Sequence, residues 1–307
     1  YIEAYMWGVA TLSHDEAYIL RQNYTPGLYA TDDGTNNFIE GNNVYEGTNF
    51  AQGFTTPDNL GALDVWGTYY KIIRKCNTIL VRMNEAKDMT PSDLRYIEGY
   101  TRFWRAYAYY NILVDFGPPI LLGEEIVENN EKLEYYDRAR CTYDEAVEYI
   151  CAEFEAAGKY MPAQVAIMDF GRPTRGAAYA LAARLRLIHA SPAYNGGAIA
   201  KRYFSDWTRK TDGVHYISQS PDEYRWALAA AAAKKVIDLP SDAGTMYSLY
   251  TVLADNNTPP LPETPIEDPD YTSNWPVGAA GIDHFRSYSE LFSGECAAPT
   301  VDEFIWA

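Results

Sequence analysis

The stretch Trp66–Pro119, WGTYYKIIRKCNTILVRMNEAKDMTPSDLRYIEGYTRFWRAYAYYNILVDFGPP, decides the architecture. In its first part Trp66, Tyr69, Tyr70, Ile73, Cys76, Asn77 and Leu80 recur at steps of three and four, the stripe of a single helix. Ile97, Tyr100, Phe103, Trp104, Tyr107, Tyr110 and Val114 repeat that spacing in the second part. Between them Thr90 reads as an N-cap, Pro91 as the first helical position and Asp93 as an acid at the positive helix end. Gly117 stops the second helix, and Pro118 and Pro119 prevent its resumption. The prediction is a helical hairpin with an aromatic seam.

Working outward, Thr142-Tyr-Asp-Glu145 is a capping box that opens a helix with Ala146, Tyr149, Ile150 and Phe154 inward, ending near Pro162. After Gly171-Arg172-Pro173 an Ala-rich helix spans 175–190, with Ala178, Leu181, Ala182, Leu185 and Ile188 on one stripe. Small residues there let a neighbouring helix approach closely. Residues 191–219 read as irregular. Ser220-Pro-Asp-Glu223 then reads as a further capping box, starting a helix that runs to about Asp238 as the first half of a third hairpin. The proline-rich acidic run 255–270 reads as loop, and Val301–Trp306 as a short strand. The predicted class is all-α: tetratricopeptide-like helical hairpins with long inserted loops, started near 62, 143 and 221. One domain covers 1–307. Within it 1–60 is an aromatic lead-in followed by a polar Gly/Asn/Asp/Thr loop, 61–240 the scaffold, and 241–307 a loop-rich segment.

The formal charge of −17 over 307 residues argues against nucleic acid and against anionic lipid as direct partners. Tyrosine is abundant, at 27 residues, and its flat ring with a hydroxyl tip suits cores, interfaces and sugar-binding surfaces. Cys76, Cys141, Cys151 and Cys296 show no CxxC spacing, which argues against a zinc site or disulfide framework. Cys76 and Cys151 fall on apolar faces as buried thiols. No signal peptide and no run of membrane-spanning length is present. Both ends fall inside apolar segments, so the chain reads as a fragment of a longer protein.

Several segments together resemble the SusD/RagB family of outer-membrane nutrient-binding lipoproteins. They are W-x2-YY-x2-I-x2-CN-x2-L at Trp66–Leu80, RAYAYYNILVDFGPPIL at Arg105–Leu121, TYDEAVEYICAEFEAAGKYMP at 142–162 and GRPTRGAAYALAARLRLIHASP at 171–192, with YSELF and EFIWA near the end. The resemblance implies capture of a glycan at the cell surface. It also implies delivery through a SusC-like TonB-dependent outer-membrane transporter, with the protein held by a lipid anchor. The lipidated N-terminus and the C-terminal half of the family are missing from this chain.

No catalytic constellation accompanies these features. His14, His189, His215 and His284 are scattered, and HExxH, GxSxG, P-loop and GxGxxG patterns are absent. The acid pairs Asp32-Asp33 and Glu124-Glu125 are adjacent in sequence, whereas glycoside hydrolysis needs two carboxyls across one bond. Asp268 and Asp270 flank Pro269 without a twelve-residue calcium loop. The expectation is a non-catalytic protein with no cofactor and no metal. A sugar site needs aromatic rings beside Asp, Asn or Arg in a loop. Two groups fit: Asp32, Asp33 and Asn36 with Trp66, and Tyr271 and Asn274 with Trp275. Trp66 also lies on an apolar stripe, so core packing competes with ligand stacking there. The alternatives are a protein-interaction scaffold without a small ligand, a collector of peptides or other nutrients, and, last, a glycoside hydrolase.

Overall fold

The structure is a computed structural model and describes residues 52–60, 64–242, 244–261, 269–293, 295–296 and 301–306. Its centre is the predicted hairpin, α1 (Trp66–Arg82) and α2 (Pro91–Phe116). The Thr90 hydroxyl accepts from the Asp93 amide while the Asp93 carboxylate accepts from the Thr90 amide, a reciprocal cap. At the other end Gly117 takes φ +77°, a conformation that side chains disfavour. After a short α3 (Leu133–Tyr136), the second hairpin follows as α4 (Tyr143–Tyr160) and α5 (Arg175–Ala190). The Thr142–Glu145 box caps α4 as expected.

The helices stack in series: α1 on α2, α2 on α4, α4 on α5, and α5 on α7 (Tyr224–Ile237). This order explains one departure from the periodicity. Lying between α1 and α4, α2 buries nearly every residue from Gly99 to Leu113 rather than a single stripe, while the predicted inward Val114 is exposed. The core is built from Ile72, Ile73, Phe103, Tyr109, Ile112, Ile150, Phe154 and Leu185. Cys76, Cys141 and Cys151 are buried free thiols, each pushed up to about 12 chiefly by burial. Close helix approach depends on small residues. A Cβ on Gly158 of α4 would lie 2.3 Å from the Tyr179 ring of α5.

Two polar centres, the first buried and the second partly exposed at Asp144, tie the layers together. Arg105 of α2 donates to Glu153 of α4 (Nη2–Oε2 2.6 Å), to Asn77 of α1 (2.8 Å) and to the Gly123 carbonyl (3.2 Å). Asn77 in turn donates to the Glu125 carbonyl at 2.7 Å, so the 120–127 connector is fastened to the first hairpin. Farther along, Asp144 of α4 accepts from His189 of α5 (2.8 Å) and from Arg225 of α7 (2.9 Å).

Five sequence expectations need correction. The Ser220 capping box does not form. Asn195 Oδ1 takes the Asp222 amide (2.9 Å), and the Asp222 carboxylate accepts from the Tyr224 amide (2.9 Å), so α7 begins at Tyr224. No helix returns directly after α7 among the described residues; β1 (Pro240–Ser241) and β2 (Gly244–Thr245) make a two-residue antiparallel ribbon instead. Residues 191–219 include a helix, α6 (Gly197–Tyr203), and the acidic proline run ends in α8 (Pro269–Thr272). Residues 301–306 form turns rather than a strand. Trp306 docks edge-on against Phe103, Trp104 and Tyr107 of α2 and donates its indole N–H to the Gly171 carbonyl at 2.9 Å. Among the described residues no helix is long and apolar enough to cross a membrane.

Candidate functional site

The loop group predicted around Trp275 sits on a small, well-braced unit at the end of the described chain. Its foundation is α9 (His284–Ser293), a helix that sequence reading missed. Asp283, buried, organises the start of α9. Its carboxylate accepts from the Arg286 amide (2.9 Å) and from the Thr258 hydroxyl (2.9 Å), and its own amide donates to the Val252 carbonyl (2.8 Å). The Arg286 amide, with the Thr258 hydroxyl and the Arg286 charge, holds the Asp283 carboxyl below the usual range. The strap 250–258 is thereby clamped along α9. Tyr250 adds a hydroxyl bond to Glu290 (2.6 Å), and Arg286 bridges to Asp255 (3.3 Å) and Glu290 (2.9 Å).

On this base lies the loop 273–281. The Trp275 amide donates to the Ala280 carbonyl at 2.8 Å and the Ala280 amide to the Ser273 carbonyl at 3.0 Å. His284 Nε2 donates to the Ala279 carbonyl at 2.7 Å, fastening the loop to α9. The Trp275–Pro276 peptide is cis. The backbone bonds and the His284 tie hold a tight loop whose Asn274 and Trp275 face solvent beside Tyr271 of α8, with Tyr271 and Trp275 each 39% exposed. The backbone is held while the rings are open, an arrangement suited to stacking on a flat ligand.

Trp66 occupies a different setting. It is half-buried at the first position of α1, with the Arg140 guanidinium over its ring at 4.6 Å, Tyr70 at 5.1 Å and the Phe116 edge at 5.6 Å. Its contacts are with the first hairpin and with Arg140 of the segment before α4, not with the 273–281 loop. Asp32, Asp33 and Asn36 lie outside the described residues. A cavity of about 280 Å³ exists elsewhere, between the α4–α5 connection, Met246-Tyr247 and 301–306, and none of the predicted residues lines it. Among the described residues, no group of three or more His, Cys, Asp or Glu side chains is placed to hold a metal ion.

The sequence reading also overlooked aromatic residues on α9. Phe285, Tyr288 and Phe292 form an i, i+3, i+7 row, each at least 70% exposed, and the Tyr288 and Phe292 rings lie 5.1 Å apart. Their spacing was the available signal; it reads as helical once Asp283 is recognised as the cap.

Comparison with known proteins places this scaffold. The family model SusD-like_3, described as starch-binding associating with outer membrane, matches residues 10–187, more than half of the chain. Among solved structures, the protein BT4246 is 25% identical with a TM-score of 0.50, over 61% of this chain and 31% of its own. A SusD-like protein of Bacteroides fragilis, BF3747, is 27% identical with a TM-score of 0.41, over 46% of this chain and 27% of its own. A laminarin-binding SusD-like protein is 20% identical with a TM-score of 0.41, over 46% and 30%. The chain spans about a third of the length of these solved proteins. Curated protein sequences provide no match. With stacked helical hairpins and a family model covering more than half of its length, the chain belongs to the SusD-like family.

Proposed function

We propose that this protein is a non-catalytic collector at the surface of the outer membrane, which binds a glycan and delivers it to a SusC-like TonB-dependent transporter. The observation that carries the binding part is the braced 273–281 loop, which presents Asn274 and Trp275 to solvent beside the exposed Tyr271 of α8. An indole or phenol ring covers the apolar face of a sugar, while the Asn274 amide is of the type that bonds hydroxyls as donor and acceptor. The family description, starch-binding associating with outer membrane, supports both the ligand class and the location. A protein solved with a xylogluco-oligosaccharide is among the similar structures, at 20% identity. In this reading Trp66 serves packing, since Arg140 already covers a face of its ring. Asp32, Asp33 and Asn36 remain proposed as a second polar group.

The test is affinity electrophoresis through gels containing starch, laminarin or xyloglucan. Retardation by at least one polymer is expected, and Trp275→Ala should weaken it about tenfold or more, a change of ~1.4 kcal/mol. Binding of peptides with no retardation by any glycan would leave a collector with the wrong ligand class. The delivery step is tested separately, by co-purification of a barrel transporter with the intact protein from native membranes.

A further inference from the structure

We propose that the cavity between the α4–α5 connection and the 301–306 segment is a second carbohydrate subsite, sized for a short saccharide. Its walls come from three separated parts of the chain, all anchored. Gln164, Phe170 and Arg172 supply one wall, Tyr247 a second, and Asp302 and Trp306 the third. Tyr247 is pressed so closely on α5 that a Cβ at Gly176 would fall 1.8 Å from its hydroxyl. Trp306 is wedged on three α2 rings and bonded to Gly171. Arg172 is held by Asp169 at 3.4 Å. The Ser248 amide donates to the Asp302 carbonyl at 3.3 Å, linking the second and third walls.

The composition of these walls selects the ligand class. The lining holds one cation and one anion, Arg172 and Asp302, so nothing in it favours a charged ligand of either sign. Rings at Phe170, Tyr247 and Trp306 offer apolar faces, while Gln164, Arg172 and Asp302 supply donors and acceptors around them. A neutral polyhydroxylated ring with an apolar face matches both, whereas a lipid chain would set hydrocarbon against Gln164, Arg172 and Asp302. At about 280 Å³ the space lies at the lower end for small-molecule pockets, which suits one or two sugar units rather than a long chain. The rim residues Gln164, Phe170 and Asp302 are exposed, so the mouth is open to solvent. This assignment rests on the carbohydrate reading above but uses none of the residues of the 273–281 loop.

The experiment is isothermal titration of the full chain with maltotriose, laminaritriose and a xyloglucan heptasaccharide, using wild type, Phe170→Ala, Gln164→Ala and Trp275→Ala. Phe170 and Gln164 are exposed loop residues, and unchanged far-UV circular dichroism checks their folding. The expected result is two molecules of one saccharide bound per chain. Binding at one of the sites should weaken about tenfold or more in Phe170→Ala and Gln164→Ala, and at the other in Trp275→Ala. A stoichiometry of one that only Trp275→Ala removes overturns the cavity subsite and leaves the loop standing. Loss in Phe170→Ala with no effect of Trp275→Ala supports the cavity and removes the loop. Absence of binding by every saccharide overturns both.

Discussion

Arg105→Ala tests how the first three scaffold layers are held together. Arg105 is 1% exposed and reaches partners on three other segments: Glu153, Asn77 and the Gly123 carbonyl. Truncating it leaves the buried Asn77 oxygen and the partly buried Gly123 carbonyl without this donor. Among the described residues Glu153 then keeps only Arg102, at 2.8 Å, as its ionic partner. Removing one member of a buried pair costs about 3–5 kcal/mol, and the remaining Arg102 contact places the expected loss near ~3 kcal/mol. Taking roughly 2–4 °C per kcal/mol, the Tm should fall by about 6–12 °C in thermal unfolding followed by circular dichroism. Arg105→Lys should recover part of the loss, because an ammonium keeps the charge without the planar fork. The double variant Arg105→Met with Glu153→Gln should be less destabilised than the sum of its singles, by about 1 kcal/mol or more. A fall below about 2 °C for Arg105→Ala, or strict additivity of the pair, would refute the argument that this cluster joins α1, α2 and α4.

Two further predictions concern backbone geometry and pH. Gly196 has φ +72° and its Cβ would lie 2.4 Å from the Ser220 carbonyl group, whereas Gly197, at φ +74°, has open space around it. In urea titrations Gly196→Ala should therefore cost at least about 2 kcal/mol and Gly197→Ala only about 1 kcal/mol; equal losses would count against the packed 195–222 junction. Burial works to raise the Asp144 carboxyl, but the hydrogen bond from His189 and the contacts with Arg225 outweigh it and hold the group below its ordinary value. The unfolded chain then binds more protons, so this stabilisation is complete above about pH 5 and disappears as pH falls below roughly 4. Glu148, held down by its hydrogen bonds from Arg186, loses its share in the same direction. The urea midpoint measured from pH 7 down to pH 3 should drop at the acid end, and Asp144→Asn should lower the plateau while flattening that drop; parallel curves for the two proteins would contradict the assignment.

Much of the helical framework was legible because its signals are local. Thr90, Thr142 and Gly117 act within a few residues of themselves, and the structure uses each as the chain pattern indicates. Where distant groups compete, reading failed. Asn195, 27 residues away, takes the Asp222 amide and displaces the start of α7. The apolar run ending at Trp306 looked like a strand, but its tryptophan is drawn onto the aromatic seam of α2. Arg105 sits unannounced among Phe103, Trp104 and Tyr107, and only the fold reveals that Glu153 lies opposite. In the candidate site, Tyr271, Asn274 and Trp275 stood out because their segment lacks a burying period, and all three are exposed. The strap 250–258 that braces them was invisible, since its bonds to Asp283, Ser287 and Glu290 span 25 residues or more.

We propose that a braced loop on a helical scaffold offers aromatic rings to a glycan. The most direct measurement is a crystal structure of the protein with a bound oligosaccharide, taken from whichever polymer retards it in the gel. The expected result is a sugar ring stacked on the Trp275 indole, with Asn274 bonded to its hydroxyls and the 273–281 backbone unmoved. An oligosaccharide seated elsewhere, with Trp275 and Tyr271 still facing solvent, would contradict it.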